Sequence, residues 1–163
     1  MQLIFYSLLS KYPDKPVALV EAEKTAIICS ALMPQCVWVA VGGKTQLGDK
    51  VEILRGRTVI AFPDTDGYDK WAQKCAERPH LNIQVSDYLQ RTATEQDKAM
   101  GADIADILIR WKQNNGSKTS YPELPLLKEL RKYISPEYLD NVMGLIEDLD
   151  LHLSGIYKLS DDA

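Results

Sequence analysis

The stretch that decides the fold is "KPVALVEAEKTAIICSALM", residues 15–33. Its first part has four consecutive apolar residues, Val17 to Val20, which is typical of a short strand buried in a parallel sheet. Its second part, residues 23–33, has apolar residues at helical spacing and stops before Pro34. A strand followed directly by a helix predicts the first unit of an α/β fold.

The same alternation continues along the chain to about residue 90. Further elements are predicted, in chain order, at residues 2–11 (helix), 36–43 (strand), 49–56 (helical turn), 57–62 (strand), 68–77 (helix) and 81–86 (strand). Strands separated by helices predict βαβ units with right-handed crossovers. The fold class expected is therefore α/β, with a mostly parallel, Rossmann-like sheet of four strands flanked by helices.

Beyond residue 90 the pattern becomes helical. Residues 92–113 predict a helix, a turn and an amphipathic helix, and the polar stretch "NNGSKTSYP", residues 114–122, predicts a linker. Two further helices are predicted at 124–134 and 135–153. The domains expected are a lead helix (1–15), an α/β domain (16–113), and a linker with a C-terminal helical extension (114–163).

Composition sets limits on the classes of function. The 163 residues have a net charge of −4, which weakens the hypothesis of a domain that clamps a nucleic-acid duplex unaided. It does not exclude nucleic acid, because acids that bind a divalent metal also make a chain acidic. Three cysteines with no CxxC spacing predict reduced thiols in the cytoplasm and no zinc site. No apolar stretch is long enough for a membrane span, and residues 1–12 lack a signal-peptide pattern.

Acidic residues follow two of the predicted strands. Glu21 comes after the first strand, and Asp64 and Asp66 come after the third in "IAFPDTDGYDKW", residues 60–71. Ligands of open parallel sheets bind beyond the carboxyl ends of the strands, so these side chains are expected at one edge. Asp103 opens a later helix, where it either caps the helix or reaches the same edge. Carboxylates this close need a cation, and hard oxygen ligands of this kind suit Mg²⁺.

Basic residues and glycines near these acids predict a phosphate site. Lys24 begins the first crossover helix, and Lys44 follows a glycine pair that ends with Gly43 after the second strand. Either lysine would attract phosphate electrostatically.

Each feature also has a simpler interpretation. Asp-Thr-Asp-Gly is a frequent turn, and Glu21 or Glu23 could merely favour the N-terminus of the helix that follows. Asp103 and Asp106 could only start a helix. The joint placement of the acids at strand ends is more specific than any one of these features.

At this point the sequence resembles the Toprim domain shared by bacterial primases, topoisomerases and related nucleases. The resemblance covers about residues 16–110 and is closest to primase-helicases and the primase-like proteins of mobile elements. The matching segments are "VALVEAEKTAIICSAL" (17–32), "VGGK" (41–44), "VIAFPDTDGYDKWA" (59–72) and "GADIADILI" (101–109). Ala22 departs from the pattern, since a glycine is usual there, and a less extreme turn is expected.

The resemblance implies magnesium-dependent, primase-like phosphoryl or nucleotidyl transfer in replication or mobilisation of a mobile element. Glu21 would be the general acid/base or a metal-linked glutamate, and Asp64, Asp66 and Asp103 would be the metal ligands for Mg²⁺ or Mn²⁺. Lys24 would contact phosphate. The implied partners are DNA or RNA, nucleotides, and a zinc-binding primase module or a helicase, because no such module is seen in the sequence.

A second hypothesis is a non-catalytic Toprim-fold adaptor that docks a helicase or relaxase through its C-terminal helices. The acidic charge, the missing zinc module and Ala22 motivate it. A receiver- or phosphatase-like domain fits less well, because receivers place their paired acids after the first strand.

Overall fold

The computed structural model describes residues 6–115 and 132–133 of the chain. The chain divides into two compact units, residues 1–118 and 119–163. The helices predicted at 124–134 and 135–153 lie outside the described residues, except for Lys132 and Tyr133, which lie in a turn.

Four strands form one sheet in which every neighbouring pair is parallel, with the spatial order β2-β1-β3-β4. The strands are β1 (Val17–Val20), β2 (Val37–Ala40), β3 (Val59–Ala61) and β4 (Ile83–Val85). Every residue of β1, β2 and β3 is buried, which a strand achieves only when both faces of the sheet are covered. The prediction of a parallel, four-stranded α/β fold is confirmed.

The register places the ends of β1 and β3 side by side. Leu19 of β1 is paired with Val39 of β2 on one side and with Ala61 of β3 on the other. Just past the end of β3, the N–H of Phe62 donates to the carbonyl of Leu19 at 2.8 Å. The segments that follow β1 and β3 therefore leave the same edge of the sheet as neighbours.

Six α-helices lie in the described part of the chain. They are α1 (Tyr6–Lys11), α2 (Glu23–Leu32), α3 (Tyr68–Ala76), α4 (Tyr88–Thr92), α5 (Glu95–Met100) and α6 (Ile104–Asn115). The 3-10 helices Asp49–Leu54 and Pro79–Leu81 complete the elements. The predicted helix, turn and amphipathic helix correspond to α5, Gly101 (φ 63°) and α6, whereas α4 was not predicted. Within this part, no helix is both long and apolar enough to cross a membrane.

Helix α2 connects the sheet to α6. It packs against β2 and α6, and its residues Ala26 and Cys29 are fully buried. Ala22, directly before the helix, has φ −106° and ψ 149°, an extended conformation that alanine adopts without strain. The less extreme turn expected from this departure is therefore present, and α2 leaves the sheet edge directly after Glu21.

Candidate functional site

Glu21 and the turn at residues 64–67 meet at the carboxyl edge of the sheet. The backbone N–H of Asp64 donates to Oε1 of Glu21 at 3.3 Å. The turn itself is closed by the N–H of Gly67, which donates to the carbonyl of Asp64 at 2.9 Å. The segment is therefore a turn, as one interpretation expects, and its backbone also contacts Glu21.

Gly67 makes the close approach of Glu21 feasible. A methyl group on Gly67 would lie only 2.6 Å from Oε1 of Glu21 and 3.3 Å from Cβ of Pro63. Any larger residue would therefore push the Glu21 carboxylate away from the turn. Sequence reasoning took Gly67 only as a turn residue, because its contact with Glu21 joins positions far apart in the chain.

Glu21 and Asp64 are two acids that form no ion pair with any lysine or arginine in the described part of the chain. Glu21 is 5% exposed, and burial raises its pKa, although the N–H of Asp64 partly opposes this effect. Burial, followed by the nearby carboxylates of Glu21 and Asp103, raises the pKa of Asp64 to about 7. Among residues 7–114, no side chain forms a hydrogen bond or ion pair with the Asp64 carboxylate. Asp64 is therefore available to a proton or a cation near neutral pH.

Asp66 faces solvent and has a partner. Its side chain is 59% exposed and forms an ion pair with Lys44, and the hydrogen bond from Lys44 lowers the pKa of Asp66. Lys44 follows Gly42 and Gly43, whose φ angles are 87° and 133°, a region that favours glycine. The N–H groups of both glycines donate to the carbonyl of Glu21, at 2.9 Å and 3.0 Å. The glycine turn is thereby fixed to the same edge as the acids.

Asp103 is both a helix cap and a neighbour of the acids. Its N–H donates to Oδ2 of Asp106, and the N–H of Asp106 donates to Oδ1 of Asp103, each at 3.0 Å. Oδ2 of Asp103 also accepts the hydroxyl of Thr25 at 2.6 Å and lies 3.3 Å from Nζ of Lys24. Since Asp103 also raises the pKa of Asp64, both interpretations weighed for it hold.

Glu23 and Thr25 lie in the first turn of α2. Glu23 is the first residue of α2, as its interpretation as a helix-start residue expects, and no hydrogen bond or ion pair joins its carboxylate to another described residue. Thr25 was missed, because a threonine in the first turn of a helix gives no distinctive signal. The structure thus groups Glu21, Asp64, Asp66, Asp103, Lys24, Lys44 and Gly43 at one edge, with Asp106 beside them.

The donor groups can be tested against the magnesium that the Toprim resemblance implies. Within the part of the chain that the structure describes, no three His, Cys, Asp or Glu side chains are arranged to hold a metal ion. Magnesium sites do not need such a cage, since one or two carboxylates with waters and substrate phosphate oxygens are usual. Asp64 and Asp66 supply two carboxylates, and the buried hydroxyl of Thr65, the residue between them in the sequence, has no hydrogen-bond partner among the described residues. These hard oxygen donors fit Mg²⁺ or Mn²⁺.

Comparison with known proteins adds a partial match. A family model described as "Domain of unknown function (DUF6371)" matches residues 2–65, which include β1 to β3 and end inside the Asp-Thr-Asp turn. No curated protein and no solved structure matches the chain.

Proposed function

We propose that the protein is a Toprim-type nucleic-acid domain that performs magnesium-dependent, primase-like phosphoryl or nucleotidyl transfer for a mobile or replicating element. The main supporting observation is that Glu21 and Asp64, which follow two neighbouring parallel strands, lie in contact through the Asp64 N–H, and that neither carboxylate forms an ion pair with a described Lys or Arg. A site with two uncompensated carboxylates is costly unless it binds a cation or proton, which favours function over packing.

In this proposal Asp64 and Asp66 hold the metal. Magnesium would neutralise phosphate oxygens and stabilise charge that develops in the transition state. Glu21 lies beside the turn and is 5% exposed, and burial raises its pKa, which makes its carboxylate a stronger base for a proton from an attacking hydroxyl. The protein's contribution is to fix these three carboxylates at the end of a rigid sheet.

Asp103, Lys24 and Lys44 play supporting roles. Both oxygens of Asp103 already accept hydrogen bonds, from Thr25 and from the N–H of Asp106. We therefore assign Asp103 to joining α2 to α6 and to raising the pKa of Asp64, rather than to direct metal ligation. Lys24 and Lys44 are the cations available to phosphate, with the backbone of Gly43 fixed beside them. Asp106 and Glu23 serve the starts of their helices.

The partners proposed are DNA or RNA with nucleotides, together with a zinc-binding primase module, a helicase or a relaxase. A cytoplasmic location is part of the proposal, supported by three free and buried cysteines.

Calorimetric titration with Mn²⁺ and Mg²⁺, with and without nucleotide, tests this function. The wild type should bind the metal, and Asp64→Asn should abolish or strongly weaken binding. Asp49→Asn is the matched control, since Asp49 is exposed and its ion pair is with Arg78. The absence of metal binding by the wild type even with nucleotide would overturn the catalytic proposal.

One observation favours the non-catalytic adaptor as the second candidate. Lys44 is paired with Asp66, and Lys24 is paired with Asp103, so part of the acidic cluster is neutralised within the protein. An adaptor predicts that Asp64→Asn leaves partner binding intact and costs no activity in the assembled replication or mobilisation system. A loss of activity in that system without a loss of partner binding would decide for catalysis.

A further inference from the structure

Lys44 and Asp66 form an ion pair that joins two different loops of the site. Lys44 comes from the glycine turn after β2, and Asp66 comes from the turn after β3. The loop of Lys44 is held in place by two hydrogen bonds from Gly42 and Gly43 to the carbonyl of Glu21. The ammonium group is therefore delivered to Asp66 by a backbone that is fixed to the acidic edge itself.

We propose that Lys44 is a built-in counter-cation that competes with the divalent metal for Asp66. The inference rests on the metal-binding role proposed above for Asp66 and adds that Lys44 sets the metal affinity of the turn. A carboxylate oxygen that contacts an ammonium group cannot take a metal ion at the same place, and the two cations repel each other. Metal binding at Oδ1 of Asp66 therefore requires Lys44 to leave that oxygen, and the freed ammonium group is then available to phosphate.

This role differs from that of a simple phosphate contact in a measurable way. A lysine that only binds phosphate has no effect on metal affinity when phosphate is absent, apart from its general repulsion of cations. A lysine that occupies the metal ligand lowers metal affinity specifically. Removal of Lys44 should therefore tighten metal binding in the absence of any nucleotide.

Lys70 provides the matched control for general electrostatics. Its charge acts on both Glu21 and Asp66, yet it forms no ion pair with another described residue. Lys70→Gln removes the same charge from the same neighbourhood without releasing a carboxylate. The difference in Mn²⁺ affinity between Lys44→Gln and Lys70→Gln therefore measures the competition between Lys44 and the metal for Asp66.

The experiment is calorimetric titration of Mn²⁺ into nucleotide-free wild type, Lys44→Gln, Lys70→Gln and Asp66→Asn at low salt. Lys44→Gln should bind Mn²⁺ about three- to tenfold more tightly than the wild type, whereas Lys70→Gln should change affinity less than about twofold. Asp66→Asn should bind more weakly. Thermal unfolding with and without Mn²⁺ gives a second readout, in which Lys44→Gln shows a larger metal-induced stabilisation than the wild type.

The outcomes separate this inference from the proposed function. Metal binding by the wild type with no tightening in Lys44→Gln, or with equal tightening in Lys70→Gln, would overturn the role of Lys44 and leave the metal site standing. Binding by Lys44→Gln alone would support the competition in its strongest form. If neither protein bound Mn²⁺ without nucleotide, the competition would be overturned, and the metal-binding function would be overturned as well if the wild type also failed to bind with nucleotide present.

Discussion

Asp97 and Asp64 are two aspartates of the same unit with opposite electrostatic behaviour. Asp97 is 2% exposed and accepts hydrogen bonds from the N–H of Thr94 at 2.9 Å, from the Thr94 hydroxyl at 2.8 Å and from Nη1 of Arg110 at 3.2 Å. The Arg110 bonds, followed by those of Thr94, hold the pKa of Asp97 well below its usual range. The pKa of Asp64, which has no such partner among residues 7–114, is raised to about 7.

The opposite pKa shifts of Asp97 and Asp64 have opposite consequences for the stability of the fold. The lowered pKa of Asp97 means that its charge stabilises the folded state above the ordinary aspartate pKa, and this contribution is lost as the pH falls. The raised pKa of Asp64 has the opposite effect on stability. The free energy of unfolding falls as the pH rises from about 4 to about 7, because the charged form of Asp64 is disfavoured in the folded protein. A carboxylate kept at such a cost is a candidate for function.

The largest expected effect is the loss of stability in Asp97→Ala. The change leaves Arg110 without its partner and removes the capping box at the start of α5. Urea unfolding should show a lower midpoint with an unchanged slope. Glu95→Ala, which removes an exposed acid from the same helix, is the control and should change the free energy of unfolding by less than about 0.5 kcal/mol. If the two changes lowered the free energy of unfolding equally, the conclusion that Asp97 stabilises the fold would be wrong.

The next effect is expected for Gly67→Ala, which places a methyl group against the Glu21 carboxylate. The overlap should reduce the free energy of unfolding by about 1–3 kcal/mol. Gly48→Ala is the control, since a methyl group there meets nothing closer than 4.0 Å. The double variant Glu21→Ala/Gly67→Ala should recover part of the loss, because the clash is then absent. A strictly additive double variant would show that Gly67 does not position Glu21.

An effect of similar size and opposite sign is expected for Asp64→Asn. Removal of an uncompensated charge should raise the free energy of unfolding by about 1–3 kcal/mol at about pH 8. The gain over the wild type should shrink as the pH falls from about 7 to about 4, because the folded wild type then holds the Asp64 proton. Urea unfolding across this pH range measures it. Destabilisation by Asp64→Asn at every pH would place Asp64 in the same class as Asp97.

The smallest effect on stability is expected for Lys44→Gln. Its ion pair with Asp66 is partly exposed on both sides, and such pairs contribute about 0–1 kcal/mol. The free energy of unfolding without metal should therefore change by less than about 1 kcal/mol, and this small change should fall further at high salt. A large loss of stability would mean that the pair is structural, as the Asp97 pair is.

The fold and the position of the acids could be predicted from the sequence. The continuous apolar run of Val17 to Val20 has few alternatives to a buried parallel strand, and a residue directly after such a strand must lie at the carboxyl edge. This logic placed Glu21 and Asp64 together without knowledge of any distance. The capping pattern Thr94-x-x-Asp97 was also visible in the sequence, although it was not singled out.

The pairing of charges could not be predicted in the same way. Lys24 and Lys44 were both assigned to phosphate, whereas the structure pairs them with Asp103 and Asp66. The Lys24–Asp103 pair depends on the packing of α2 against α6, and the Lys44–Asp66 pair depends on the glycine turn after β2. A sequence pattern gives the edge on which a side chain lies, but the partner of that side chain depends on tertiary distances.

The central claim is that Asp64 is an uncompensated carboxylate kept for a cation. Carbon-13 NMR titration of the Asp64 side chain, without and with saturating Mg²⁺, tests it most directly. We expect an apparent pKa of Asp64 near 7 without metal and a clearly lower value with Mg²⁺, because a bound cation stabilises the ionised form. An ordinary aspartate pKa that Mg²⁺ does not change would contradict it.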